Sequence, residues 1–311
     1  MKDQKVMHEP VLTREIVRYL LVKKNAHLKP KAVYIDATVG LGGHSKDIIK
    51  AGCYVLGIDA DSQSLSIAEK VLKRACPAPF KLNKKGRCFK LVHGNFRDID
   101  SIAADLQVSK VSGILLDLGV SSMQLTSRSR GFSFQKPSAK LDMRIDKDRQ
   151  DVKASDLLNV LGQKQLKNLF EVVLGRHESA QIAKAIVEKR KMGKFEKVGD
   201  FLQIANQCRT KNKNLHPATL PFLALRIAVN SELENLKIAL PKSLDLLKTG
   251  GRLAVISFHS GEDKLVKAFI RKAETSNKIR VVTKKPVTPS AKEITNNPRA
   301  RSAKLRVIEK L

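Results

Sequence analysis

At 311 residues and 42% hydrophobic content, the chain is long enough for one large domain or two modest ones around a real core. Lysine and arginine total 59 against 30 aspartates and glutamates, and the resulting +29 favours a polyanionic partner, with a lysine-rich proteome as the plainer explanation. No apolar run approaches the roughly 20 residues of a spanning helix. The opening Met1-Lys2-Asp3-Gln4-Lys5 also lacks a signal peptide's apolar region, so no membrane role is expected and the cytoplasm is the default location. Cys53, Cys76, Cys88 and Cys208 show no metal-ligand spacing and are too scattered for a disulfide framework, which suggests reduced, structural thiols.

In chain order, Val33-Tyr34-Ile35-Asp36-Ala37 reads as a buried strand entering the loop Thr38-Val39-Gly40-Leu41-Gly42-Gly43-His44. A helix opening at Ser45 follows, then a strand from Tyr54 to Asp59, a helix from about Ser64 to Lys73, and strands at Phe89 to Val92 and Val111 to Asp117. Apolar strands separated by helices point to parallel strands covered on both faces, with ligands at their carboxyl ends. From about Ser127 to Leu215 strand signals fade, and Leu157 to Phe170 and Ala180 to Lys191 carry helical spacing. Strands return at Arg252 to Phe258, Lys278 to Lys284 and Lys304 to Glu309. The simplest architecture is a Rossmann-like α/β sheet formed by 1–126 and 216–311, interrupted by an inserted helical domain at 127–215 that is expected to recognise the substrate.

The first loop carries the strongest chemical signal. Glycines let the backbone approach a ligand, and a carboxylate at Asp59 sits where two ribose hydroxyls can donate to it. A dinucleotide fingerprint requires Gly-x-Gly-x-x-Gly, but Gly40-Leu41-Gly42 continues as Gly43-His44-Ser45 and lacks the third glycine. S-adenosylmethionine, which has no pyrophosphate, suits the pattern better: Asp36 near its ammonium, loop donors for its carboxylate, Asp59 for its ribose. A bare tight turn would use the same glycines, but it does not explain the flanking acids.

Three other patches look chemical. Asp117-Leu118-Gly119-Val120-Ser121-Ser122-Met123-Gln124 ends the fourth strand, where a transferred group would meet its acceptor, or is simply a polar loop. Arg128-Ser129-Arg130-Gly131-Phe132-Ser133-Phe134 interleaves guanidinium and aromatic groups that suit phosphates and unpaired bases, and equally suits an extended core segment. His259, in Ser257-Phe258-His259-Ser260, is a proton acceptor, a ligand contact or hydrogen-bonded support.

Taken in order, a set of motifs resembles the ribosomal small-subunit RNA methyltransferase H family, also called MraW, over nearly the whole chain. The motifs are His8-Glu9-Pro10-Val11-Leu12, Asp36-Ala37-Thr38, Gly42-Gly43-His44-Ser45, Asp117-Leu118-Gly119-Val120-Ser121-Ser122, Arg130-Gly131-Phe132-Ser133-Phe134 and Leu141-Asp142-Met143-Arg144. Ala224-Leu225-Arg226-Ile227 with Asn230, Ile256-Ser257-Phe258-His259-Ser260 and Asn297-Pro298-Arg299-Ala300-Arg301-Ser302 complete it. The resemblance implies a cytoplasmic enzyme that methylates the exocyclic amine of a cytidine in the decoding region of small-subunit ribosomal RNA, acting on that RNA or on the small ribosomal particle. A homo-oligomer is left open. The implied cofactor contacts fall on Gly42, Gly43, His44, Asp59, Phe96, Asp117 and Gln124. Of these, Phe96 carries no signal of its own beyond being an aromatic able to stack on adenine.

The chain departs from the family pattern at Met123, Leu223 and Gly261, and in Gly175-Arg176-His177-Glu178, where a Gly-Glu-Glu is usual. The stretch from Arg74 to Arg87 is lengthened and basic. Many amine methyltransferases place Asn- or Asp-Pro-Pro-aromatic after the fourth strand, whereas Asp117-Leu118-Gly119-Val120 has neither proline nor aromatic. Candidate proton acceptors are therefore Asp117, Asp142 and His259, in that order, with in-line positioning as the main source of rate. A noncatalytic RNA-binding ribosome assembly factor would account for the charge but not for Asp36, the glycine loop and Asp59 together. A nicotinamide-dependent oxidoreductase would share the fold but not the loop.

Overall fold

The computed structural model describes residues 10–21, 32–76, 88–127, 129–207 and 215–311. His8, Glu9, Arg128, Cys208 and most of the basic stretch from Arg74 to Arg87 lie outside the described residues. The chain divides into two compact units, 1–119 with 233–311, and 120–232.

The first unit is built on a seven-stranded sheet of order β3-β2-β1-β4-β5-β7-β6. Its strands are β1 (Val33–Asp36), β2 (Tyr54–Asp59), β3 (Phe89–His93), β4 (Val111–Asp117), β5 (Leu247–Ser257), β6 (Ile279–Val281) and β7 (Lys304–Lys310). β1 to β5 run parallel, and β7 is antiparallel between β5 and β6. Alternate residues of each central strand feed two different cores. Ile35, Leu56, Ile114, Leu116 and Val255 pack on one face, and Tyr34, Val55, Leu115, Ala254 and Ile256 on the other. This double burial is why the strands read as continuous apolar runs rather than alternating ones.

The first face is covered by α4 (Ile99–Asp105), α11 (Glu232–Leu246) and α12 (Ser260–Thr275), through Ala103, Leu240 and Val266. The second is covered by α1 (Thr13–Leu20), α2 (Gly43–Lys50) and α3 (Ser62–Ala75), through Ile16, Ile48 and Leu72. A short α13 (Ala291–Asn296) and a 3₁₀ turn at Pro298–Ser302 lead into β7. The expected strands from Val33 to Asp117 are all present, with small changes of boundary. α1 has no counterpart in the sequence reading, because its eight residues TREIVRYL bury only Ile16 and Leu20.

The expectation that all cysteines are reduced is corrected. Cys76, at the end of α3, is bonded to Cys88, just before β3, with their Cα atoms 6.0 Å apart. The two lie 12 residues apart in sequence, and the packing of α3 beside β3 brings them together, which spacing alone does not reveal. Cys53 is a buried free thiol.

The second unit consists of α5 (Ser122–Thr126), α6 (Ala154–Val160), α7 (Gln163–Glu171), α8 (Arg176–Met192), α9 (Val198–Ala205) and α10 (Thr219–Asn230). It extends beyond the expected 127–215 at both ends: Phe222, Leu225 and Val229 of α10 belong to its core, with Leu158, Phe170, Ile186 and Phe201. The helical stretch from Leu157 to Phe170 is two helices. They break at Leu161-Gly162, where both residues are extended and Arg190 Nη1 donates to the carbonyls of Leu158, Asn159 and Leu161.

Candidate functional site

The order of the parallel strands reverses around β1, whose neighbours are β2 and β4, so a crevice opens at the carboxyl ends of β1 and β4. The sequence sends the glycine loop and Asp117 to this edge. The loop is tied to its neighbours by Val39 N–H donating to Ile58 O and Ala37 N–H donating to Leu115 O, both at 2.9 Å. Thr38 accepts the Asp117 N–H on its hydroxyl at 2.7 Å, which locks the ends of β1 and β4 together.

Gly42 has φ +85°, and a Cβ there would lie 3.2 Å from Leu72 Cδ2 and 3.4 Å from Ala68 Cα. Only glycine lets the loop turn at that angle while lying flat on α3. Gly43 serves a different need, since a Cβ there would lie 2.8 Å from the Pro10 ring. Gly42 is also the N-cap of α2 and supplies no side-chain cap, so the first-turn N–H groups of α2 are available to a carboxylate ligand.

The four acidic and basic groups around the loop take different roles. Asp36 is 1% exposed and turned inward, accepting from Ser45 Oγ at 2.7 Å and Thr38 N–H at 3.4 Å. Burial raises its pKa against the lowering effects of Ser45 and His44. It braces β1 against α2, so the ammonium role expected for it has no exposed carboxylate behind it.

Asp59 is half-buried at the end of β2 and accepts Gly40 N–H at 2.7 Å and Asp61 N–H at 2.8 Å, one on each oxygen. Burial pushes its pKa up to about 6 despite those two donors. Each oxygen keeps a second lone pair, which is what a ribose diol needs.

His44 and Asp117 form a pair, with Nε2 to Oδ2 at 3.3 Å. Burial lowers the pKa of the ring, but the Asp117 hydrogen bond and the charges of Asp117, Asp36 and Asp47 outweigh it, leaving the value raised. Among the described residues, His44 Nδ1 and Asp117 Oδ1 are buried polar atoms without a hydrogen-bond partner. Such atoms are rare in native proteins, and they mark the pair as a place where a ligand or a water would bind. Phe96, half-buried in a 3₁₀ turn at Phe96–Asp98 after β3, packs its ring against the core of the first face.

The remaining candidates are engaged within their own units. His259 is the N-cap of α12: Nδ1 accepts Glu262 N–H at 3.4 Å, and Nε2 faces Glu262 Oε1 at 3.2 Å. Glu262 returns the contact by accepting the His259 N–H at 3.2 Å, and it also accepts the Phe258 N–H at 2.7 Å. In the second unit, Gln124 closes the capping box of α5, its Oε1 accepting Ser121 N–H at 2.8 Å. Asp142 there accepts Arg144 Nε at 2.9 Å and Nη2 at 3.0 Å. Burial would raise its pKa, but the hydrogen bonds and charge of Arg144 and the Lys147 charge hold it low.

The described residues of the arginine-aromatic stretch make contacts within the helical unit. Arg130 is buried, with its guanidinium 5.9 Å from the Phe132 ring centre and Nη2 donating to Arg144 O and Ile145 O. Phe134 stacks on His216 with centroids 4.6 Å apart. The sequence reading missed Thr38 and Ser45, whose hydroxyls are ordinary in a loop until their partners 79 and 9 residues away are known.

A family model described as the MraW methylase family matches residues 5–311. The chain is 42% identical to a ribosomal RNA small subunit methyltransferase H of Methylacidiphilum infernorum, covering 98% of this chain and 94% of that one. It is 39% identical to the same-named protein of Dictyoglomus thermophilum, over 100% of this chain and 99% of the other. A solved rRNA methylase from Streptococcus thermophilus aligns over 91% of this chain and 88% of its own at 12% identity and a TM-score of 0.41, too distant to carry an argument. The chain belongs to the MraW methylase family.

Proposed function

We propose that this chain transfers a methyl group from S-adenosylmethionine to the exocyclic amine of a cytidine in the decoding region of small-subunit ribosomal RNA, giving N4-methylcytidine. The reading rests above all on the crevice at β1 and β4, where the uncapped start of α2, Asp59 and the His44–Asp117 pair share one edge of the sheet. The near full-length relatives named ribosomal RNA small subunit methyltransferase H support the substrate class.

When bound, the cofactor supplies a sulfonium-activated methyl group. The free backbone N–H groups of Gly43 and His44 at the start of α2 would receive its carboxylate, Gly42 would shape that turn with its own N–H held by Val39 O at 2.8 Å, and Asp59 would accept from its ribose hydroxyls. Phe96 would be the residue to stack on the adenine. The cytosine amine is a poor nucleophile because its lone pair is delocalised into the ring, so orientation and an acceptor for its hydrogen bond both matter. Asp117 is the first choice for that acceptor: Thr38 anchors its backbone, His44 holds one oxygen, and the other oxygen has no partner among the described residues. Asp142 ranks below it because Arg144 engages both of its oxygens, and His259 because its Nδ1 caps α12, although its Nε2, beside Glu262 Oε1, has no hydrogen-bond partner among the described residues. Gln124, held in its capping box, is a support for the loop after β4. The enzyme would act in the cytoplasm on the RNA or on the small ribosomal particle, and no described helix is long and apolar enough to cross a membrane.

Methyl transfer from labelled cofactor to small-subunit particles, followed by nucleoside digestion and mass spectrometry, tests the proposal. Label on N4-methylcytidine supports it. Label on a ribose, guanine or adenine overturns the substrate assignment, and RNA binding without cofactor binding would instead indicate an assembly factor.

A further inference from the structure

The motif Asn297-Pro298-Arg299-Ala300-Arg301-Ser302 is not among the cofactor contacts described above, yet buried contacts fix its conformation. Ala300 and Ala303 are buried in the second-face core, with Ala300 N–H donating to Asn297 O and Ala303 N–H donating to Ala300 O, both at 2.9 Å. Two small buried residues pin the turn, and Arg301 projects outward. The chain then enters β7 at Lys304, paired with Ser257 at the carboxyl end of β5. Since Asp117 pairs with Ile256, Lys304 stands at the same sheet edge as Asp117, two strands away, or about 10 Å by strand spacing.

Other cations meet at this edge. Val287 and Leu305 exchange backbone hydrogen bonds at 2.9 Å, which anchors the exposed Lys284 and Lys285 nearby. α12 starts from the end of β5 and presents Lys264 and Lys267 to solvent. The local acids do not balance them. Asp263 is faced by Arg306 at 2.7 Å, Lys304 at 3.7 Å and the charge of Lys267, while Glu262 and Glu293 accept from backbone N–H groups.

This region is more basic than the helical unit taken as a whole. Residues 257–304 hold twelve Lys and Arg against four Asp and Glu, so 48 residues carry +8 of the chain's +29. The helical unit at 120–232 carries +10 over 113 residues, only about half that density. Apolar anchors for a lipid surface are missing: the exposed large hydrophobics among the described residues are Ile67, Val152, Val160, Val172, Met192 and Leu311, and none lies in 257–304.

We infer that the carboxyl edge formed by Arg301, Lys304, Lys284, Lys285, Lys264 and Lys267 is a docking surface for the phosphate backbone of the substrate RNA. The inference rests on the RNA reading above and adds that the sheet unit itself holds the nucleic acid. Phosphates placed there would orient RNA beside Asp117 without reading its sequence.

The test is binding of a folded, transcribed small-subunit RNA fragment at several salt concentrations. It compares a variant carrying Lys264→Gln, Lys284→Gln, Lys285→Gln and Arg301→Gln with one carrying Lys50→Gln, Lys70→Gln, Lys110→Gln and Lys248→Gln. Both remove four exposed charges. Loss of phosphate contacts should make the salt slope shallower by about 2 to 3 and weaken binding at least tenfold in the edge variant. The second variant should change far less, and S-adenosylmethionine affinity should be equal in all proteins. Equal loss in both variants, or no loss at the edge, would overturn the surface. So would edge-dependent binding to phosphatidylserine vesicles without edge-dependent RNA binding. Failure of the unaltered protein to methylate would sink the proposed function alone, whereas methylation with an unchanged salt slope in the edge variant would sink this surface alone.

Discussion

His44 Nε2 lies 3.3 Å from Asp117 Oδ2, a buried imidazole against the carboxylate that ends β4. Because the ring's pKa is raised from 6.5, the stability it contributes is fully present below that value and is lost as pH rises through the folded one. Asp117→Asn should therefore cost about 1–3 kcal/mol near pH 6, the desolvation penalty of a buried group left without its partner. The cost should shrink at alkaline pH. Denaturant titrations at both ends of the range check this, and a pH-independent cost would mean an uncharged pair.

Activity separates the structural and chemical roles of Asp117. With cofactor saturating, Asp117→Ala should lower kcat by roughly 10²-fold if its carboxylate accepts the amine hydrogen bond. Lys248→Ala, at an exposed position, should leave kcat unchanged. Full turnover in the Asp117 variant would reduce this residue to a strand terminus.

Asp59 sets an expected pH dependence for the cofactor. Its carboxyl, pushed up to about 6, must be ionised to accept from both ribose hydroxyls. Affinity for S-adenosylmethionine should rise about tenfold from pH 5 to pH 7, with protons released on binding near pH 6. Calorimetry in buffers of different ionisation enthalpy measures both quantities. Asp59→Asn should weaken binding and flatten the profile.

Gly42 and Gly52 share nearly the same φ, +85° and +84°, but only Gly42 has neighbours where a Cβ would go. Alanine at Gly52 should cost about 1 kcal/mol for the left-handed backbone. At Gly42 the clash with Leu72 should add to that strain and displace the loop, with at least a tenfold loss of cofactor affinity. Thermal melts with and without cofactor distinguish the two variants.

His259 tests cap against catalyst. Removing the N-cap with His259→Ala should cost about 1 kcal/mol, and His259→Ser should restore most of it. If the ring acts only as a cap, the serine variant keeps its methyl-transfer rate. A large loss of kcat in a stable serine variant would promote His259 to the reacting centre.

The Cys76–Cys88 bond predicts a thiol count. Denatured without reductant, the protein should expose two titratable thiols, and after reduction four. Closing this loop should contribute roughly 3 kcal/mol by chain entropy, read as a lower melting temperature after reduction.

The sequence by itself determined the central strands, the loop and the acids at the strand ends. β2 and β4 were legible to the residue because both faces of each are buried, so their mainly apolar runs continue until Asp59 and Asp117. The family motifs pointed to the cofactor and RNA chemistry for the same reason: each is a short, local string. Only the tertiary structure decided what depends on distant partners. Asp36 and Asp59 look alike as strand-terminal acids, yet Ser45 draws one inward and the backbone of Gly40 and Asp61 holds the other half-buried at the edge. α10 falls outside any local boundary signal, and joins the helical unit because Phe222 and Leu225 pack into its core. The antiparallel insertion of β7 between β5 and β6 places Lys304 at the edge near Asp117, a relationship that depends on pairing across the sheet. Periodicity reports which face of an element is buried. It carries no information about which other element does the burying, and that choice fixes the partners of His44, Cys76 and Thr38.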